Sequence, residues 1–153
     1  MTERHSSLIL HFIVRVFMVP LILVFAAYVF VHGESSPGGG FQAGAIAASA
    51  VILARLTLGR EHGIRRYPTR MLIWLSSLGV GIYALAGVLP VLYGGPFLDY
   101  DAIPLQWFNV FAGEEYTNRS MGLFIIELGV YVGVFATLVL IYDYLTERFQ
   151  DAG

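Results

Sequence analysis

Three side chains stand in otherwise apolar runs and could do chemistry there: Glu127, Arg15 and His11. A carboxylate in such a run can attract a cation or carry a proton, and an ionisable group at that depth is a functional candidate by default. Tyr131 lies one helical turn beyond Glu127 on the same face, whereas Gly129 and Gly133 form a GxxxG pair on the opposite face. His11 and Arg15 are four apart and share a face. Arg15 would sit about 10 Å inside its end of the run at about 1.5 Å per residue. An arginine at that depth either reaches back to the headgroups, helped by His11, or meets a partner subunit or a hydrated path. Glu127 is about 9 Å from the other boundary. The two charges are then too far apart to pair, which leaves Glu127 with water, Tyr131, another subunit or protonation. An electrostatic or structural role at an interface fits it better than that of an obligatory proton carrier.

These side chains need elements that hold them in hydrocarbon. Of the 153 residues, 57% are hydrophobic and only 13% charged, with a mean hydropathy of +0.70. That excludes an ordinary soluble domain. Four apolar stretches, 8–31, 41–58, 71–93 and 121–142, are long enough to cross a core of about 30 Å. The expected fold is all-α, an integral membrane four-helix bundle forming a single domain over 1–153. All nine cationic residues are arginine, and Arg55, Arg60, Arg65, Arg66 and Arg70 cluster in or beside the loop between the second and third segments. By the positive-inside rule that loop is cytoplasmic, so both termini are cytoplasmic and the acidic 94–120 connection faces outward. The protein is then a multi-pass membrane protein.

Between the first two segments lies His32 to Gly44, with Pro37, Gly38, Gly39 and Gly40 ahead of Phe41. Pro37 disfavours helix at Ser36, and the glycines admit backbone conformations closed to other residues, so the chain reverses here. Gly40, Gly44 and Ala48 then repeat every four residues and leave a groove in which another backbone can lie. The alanine-rich second segment is therefore expected at the centre of the bundle. Trp74 and Tyr93 suit interfacial anchoring. In the outer loop, Pro104 opens a candidate interfacial helix with Leu105, Phe108 and Phe111 on one face and Trp107 beside it.

Several classes of function are disfavoured. The absence of cysteine removes disulfides and thiolate metal sites. His5, His11, His32 and His62 are dispersed over both membrane faces, so they make no joint metal site. The glycine run lacks the Lys-Ser or Lys-Thr of a nucleotide loop. No convergent catalytic set is visible, which argues against a self-sufficient membrane enzyme, and nothing calls for a cofactor or a nucleic-acid partner.

The stretch His32-Gly33, Ser36-Pro37-Gly38-Gly39-Gly40-Phe41-Gln42-Ala43-Gly44, with Arg15 and Pro20 upstream and Glu127-Leu-Gly-Val-Tyr131 downstream, resembles the MnhB/MrpB family. These are small subunits of Mrp-type multisubunit cation/proton antiporters. The resemblance covers nearly the whole chain. It departs at Glu34, where the family more often carries His, and at Glu127, where it more often carries Asp. What it implies is an inner-membrane complex exchanging Na⁺ or another monovalent cation for H⁺. This chain would contribute assembly and part of a cation path alongside other membrane subunits. The same module also resembles a subunit of membrane-bound hydrogenases and related respiratory complexes, which co-purifying partners would distinguish. A membrane enzyme acting on lipid headgroups is the reading from another class, and activity of the chain alone would reveal it.

Overall fold

In hydrocarbon a backbone must satisfy its own hydrogen bonds, and this chain does so with helices. The computed structural model describes residues 9–33, 39–58, 67–100 and 118–151. Pro37, Gly38, the loop arginines Arg60, Arg65 and Arg66, and the helix expected from Pro104 lie outside these residues. Four helices are long and apolar enough to cross a membrane: α1 (Ile9–Val31), α2 (Gly40–Leu58), α3 (Thr69–Leu92) and α4 (Asn118–Asp151). The fourth is longer than its apolar run. Its 34 residues span about 51 Å at about 1.5 Å per residue, well over the hydrocarbon core.

Near its start, α1 carries a π-helical turn over Val14–Met18, in which the Val19 N–H donates to the Val14 carbonyl. Pro20 follows at once. Its ring has no N–H and crowds the carbonyl four residues back, so a widened turn before it absorbs the misfit. At the other end of α3, the chain turns at Gly94, whose φ is +83°, and folds back over the helix. Phe97 packs on Gly87, where an added Cβ would come within 2.9 Å of the ring. Tyr100 then lies against Gly122 at the start of α4.

The helices pack in the order α1, α2, α4, α3. The groove expected along Gly40, Gly44 and Ala48 is occupied by α4 of the same chain. Gly40 lies on the backbone of Glu127, and a Cβ on Gly44 would be 2.7 Å from the Tyr131 carbonyl oxygen. Since contact partners advance together along both helices, α2 and α4 run parallel. On the other side of α4, a Cβ on Gly79 of α3 would be 2.6 Å from the Gly129 carbonyl oxygen. The GxxxG pair is thus seated on α3. Ala48, Val51, Leu72, Ala136 and Val139 join α2, α3 and α4 in one buried cluster, and Ser76 and Thr137 share a 2.8 Å hydrogen bond between α3 and α4. Phe30 of α1 packs at a tilt against Phe124 and Tyr131 of α4. Although α2 is the most buried helix, α4 packs along both α2 and α3 and meets α1 through Phe30.

Close backbone approach is what the small residues permit, so Gly44→Leu is expected to unfold or destabilise the detergent-solubilised chain. Gly81, where an added Cβ meets nothing within 4 Å, is the control. Thermal unfolding followed by circular dichroism should show Gly81→Leu near the parent and Gly44→Leu far below it.

Candidate functional site

Glu127 is half-buried where the reversal between α1 and α2 meets α4. A Cβ on Gly39 would be 2.6 Å from Glu127 Oε1, and one on Gly33 would be 2.7 Å from Oε2. A side chain at Gly39 would have to displace the carboxylate, and one at Gly33 would also meet the Gly39 backbone at 2.7 Å. Nothing in the spacing of the residues ties Gly33 and Gly39 to Glu127, about ninety positions away. The structure brings them together, with Gly40 beneath the backbone of Glu127. Tyr131, one turn further, is partly buried; its ring packs on Phe30 with centroids 5.2 Å apart, and its carbonyl faces Gly44. Phe41 is exposed.

Arg15 is exposed on α1 within the π-helical turn, and His11 is partly buried. From Arg15 to Gly33 is 18 residues, about 27 Å along a helix at about 1.5 Å per residue. Arg15 and Glu127 thus belong to opposite ends of the helices, which agrees with their expected failure to pair. A cavity of about 400 Å³ opens beside α3 and α4, with Phe41, Gly79, Tyr83, Gly129, Gly133 and Thr137 among its lining. Its walls are apolar. Tyr100 is buried and its hydroxyl has no hydrogen-bond partner among the described residues. Burial pushes that hydroxyl up from its ordinary range and nearby Tyr83 adds to the shift, so it stands as a neutral donor. No group of three His, Cys, Asp or Glu among the described residues could hold a metal ion.

A second charged cluster was not singled out in the sequence. Arg55 and Asp143 are each 2% exposed, and Arg55 Nη1 forms an ion pair with Asp143 Oδ1. Arg55 Nη2 also donates to the Tyr67 carbonyl oxygen at 2.8 Å. One guanidinium thereby links α2, the lead into α3 and α4. In the sequence Arg55 groups with the arginines beside the loop, and the fourth apolar run ends at Tyr142, one residue before Asp143. The helix runs on through Asp143 to Asp151, which brings the Asp143 carboxylate to Arg55. The available signal was one of complementarity, with an Arg and an Asp closing two apolar segments that run the same way. Removing one member of such a buried pair costs about 3–5 kcal/mol, because the other charge is left uncompensated.

Comparison with known proteins adds a second line of information. Residues 9–140 match the family described as "Domain related to MnhB subunit of Na+/H+ antiporter". Among known relatives are proteins of Staphylococcus aureus strains Newman and JH1, each named "Putative antiporter subunit mnhB2". Each is 33% identical over 127 residues, covering 80% of this chain and 85% of the relative.

The fit between glycine turn and carboxylate can be tested by a double-mutant cycle. Gly39→Ala is expected to destabilise the parent chain and to cost less in a Glu127→Ala background, where the colliding carboxylate is gone. A coupling of about 0.5–3 kcal/mol is the range for groups in contact. Additive effects in chemical unfolding would separate the two residues.

Proposed function

Because this chain belongs to the family of domains related to the MnhB subunit of Na⁺/H⁺ antiporters, we propose that it is a small membrane subunit of a multisubunit monovalent cation/proton antiporter. Within it, Glu127 attracts or passes the cation at an interface with another subunit. The observation that carries the reading is the half-buried Glu127 carboxylate seated on the backbone of Gly33 and Gly39, at the helix end where the chain reverses. A carboxylate at such a place raises the local concentration of cations and can exchange ligands with water. It is held on a shaped backbone instead of on a flexible loop.

The rest of the chain suits a packing subunit. Between the ends of α2 and α4 lies the buried apolar cluster of Ala48, Val51, Leu72, Ala136 and Val139. A cation using Glu127 therefore passes along the outside of this cluster, where a neighbouring subunit supplies the remaining wall. Arg15, exposed on α1 in a run of apolar residues, is a second place for a neighbour, one offering a carboxylate or a phosphate. We place the complex in the cell inner membrane with the arginine-rich 59–66 loop and both termini in the cytoplasm. An impermeant thiol reagent added outside should label Ala102→Cys and spare Gly63→Cys. Labelling of Gly63→Cys in sealed cells would reverse the orientation.

The carboxylate is tested by neutralisation in the assembled complex. Glu127→Gln keeps the shape and removes the charge, so the complex should assemble normally and lose much of its Na⁺-dependent exchange. Glu127→Ala should be worse, since it also leaves a void. Unchanged apparent affinity and rate for Na⁺ in a fully assembled Glu127→Gln complex would leave Glu127 with a packing role only.

A further inference from the structure

From the Arg55–Asp143 pair we infer a register lock: it fixes where α4 sits along α2, and so positions Glu127 from the opposite end of the same helix. The argument begins with the seam between the two helices. On the α2 side it is built of Gly40, Gly44, Ala48 and Val51, of which the first three are small. A groove of small residues permits close approach but offers few side chains to resist sliding or rotation. Asp143 and Arg55 are different in kind, because each is buried and each needs the other. Moving α4 by one residue, about 1.5 Å, would draw the carboxylate from the guanidinium with no water to replace it. The lock has a fixed base as well. Arg55 is held to the Tyr67 carbonyl oxygen, and Tyr67 packs edge-on against Phe135 of α4 with centroids 6.4 Å apart.

Sixteen residues, about 24 Å of helix, separate Asp143 from Glu127. A rigid helix transmits an axial shift over that length undiminished. At the far end the tolerance is small, since Gly33, Gly39 and Gly40 all lie within reach of Glu127 atoms. Fixing register is also the best-attested use of a buried ion pair. Arg55 and Asp143 are therefore positioning residues that act on Glu127 through α4.

The chain has no cysteine, so two nitroxide labels report the register. They are placed at the exposed positions Gln42→Cys on α2 and Leu123→Cys on α4, in a complex whose other subunits lack reactive cysteines. The parent and Asp143→Glu, which keeps a carboxylate for Arg55, should give one narrow distance distribution by pulsed electron resonance. The doubly apolar Arg55→Leu/Asp143→Leu complex should give a broadened or displaced one, with shifts in steps of about 1.5 Å. If that variant does not assemble, Asp143→Asn carries the same test. A single narrow distribution, unchanged from the parent, in the variant that assembles would overturn the lock. The consequence for transport rests on the cation role proposed for Glu127. It is a severalfold rise in the Na⁺ concentration for half-maximal exchange, with the maximal rate largely kept. A displaced distribution with unchanged half-saturation would uphold the lock and remove the cation role.

Discussion

A carboxylate withdrawn from solvent in an apolar bundle has to be met by something, and among the described residues α4 carries two such groups, Glu127 and Asp143. At one end Glu127 rests on the glycine backbone that leads into α2. At the other Asp143 meets Arg55 of α2. The remainder of the architecture follows from bringing α2 and α4 together along their length. A parallel pair must be connected by a full crossing, and α3 supplies it. The small residues of the seam allow the backbones to approach closely enough for short polar groups at the two ends to meet their partners. Neither end is stabilised by charge alone, since desolvation opposes both and geometry decides whether the encounter offsets it.

The division of labour between the faces of α4 is equally physical. Glu127 and Tyr131 turn toward α1 and α2, while Gly129 and Gly133 turn toward Gly79 of α3. A single helix can hold a charged site on one side because its other side is anchored by close packing. Many apolar side chains of α1 and α3 remain exposed, as lipid or neighbouring subunits would require.

Much of this is legible in the residues. Apolar runs show the four helices, Gly40, Gly44, Gly129 and Gly133 show where backbones can approach, and Glu127 and Arg15 are conspicuous because charge is costly in such runs. What fills each groove is less accessible. The spacing Gly40-Gly44-Ala48 specifies a smooth face and says nothing of which helix lies on it, and here it is the chain's own α4. Asp143 escaped notice for a related reason. Hydropathy ends a segment where charges begin to accumulate, here from Asp143 through Glu147 and Arg148, so a paired carboxylate near a helix end is indistinguishable by composition from one in a solvated tail. The joining of the turn to Glu127 was likewise beyond periodicity, because it unites residues about ninety positions apart through tertiary packing.

The Glu127 carboxylate lies against Gly33 and Gly39, and its proposed role needs another subunit or water beside it. The most direct measurement is a cryo-electron-microscopy structure of the assembled complex in lipid, at a resolution that shows side chains. The map should show α2 and α4 in contact throughout, the Glu127 carboxylate against Gly33 and Gly39, and a neighbouring subunit or ordered water beside it. A foreign helix inserted between α2 and α4, or Glu127 turned outward onto lipid with no neighbour, would contradict this arrangement.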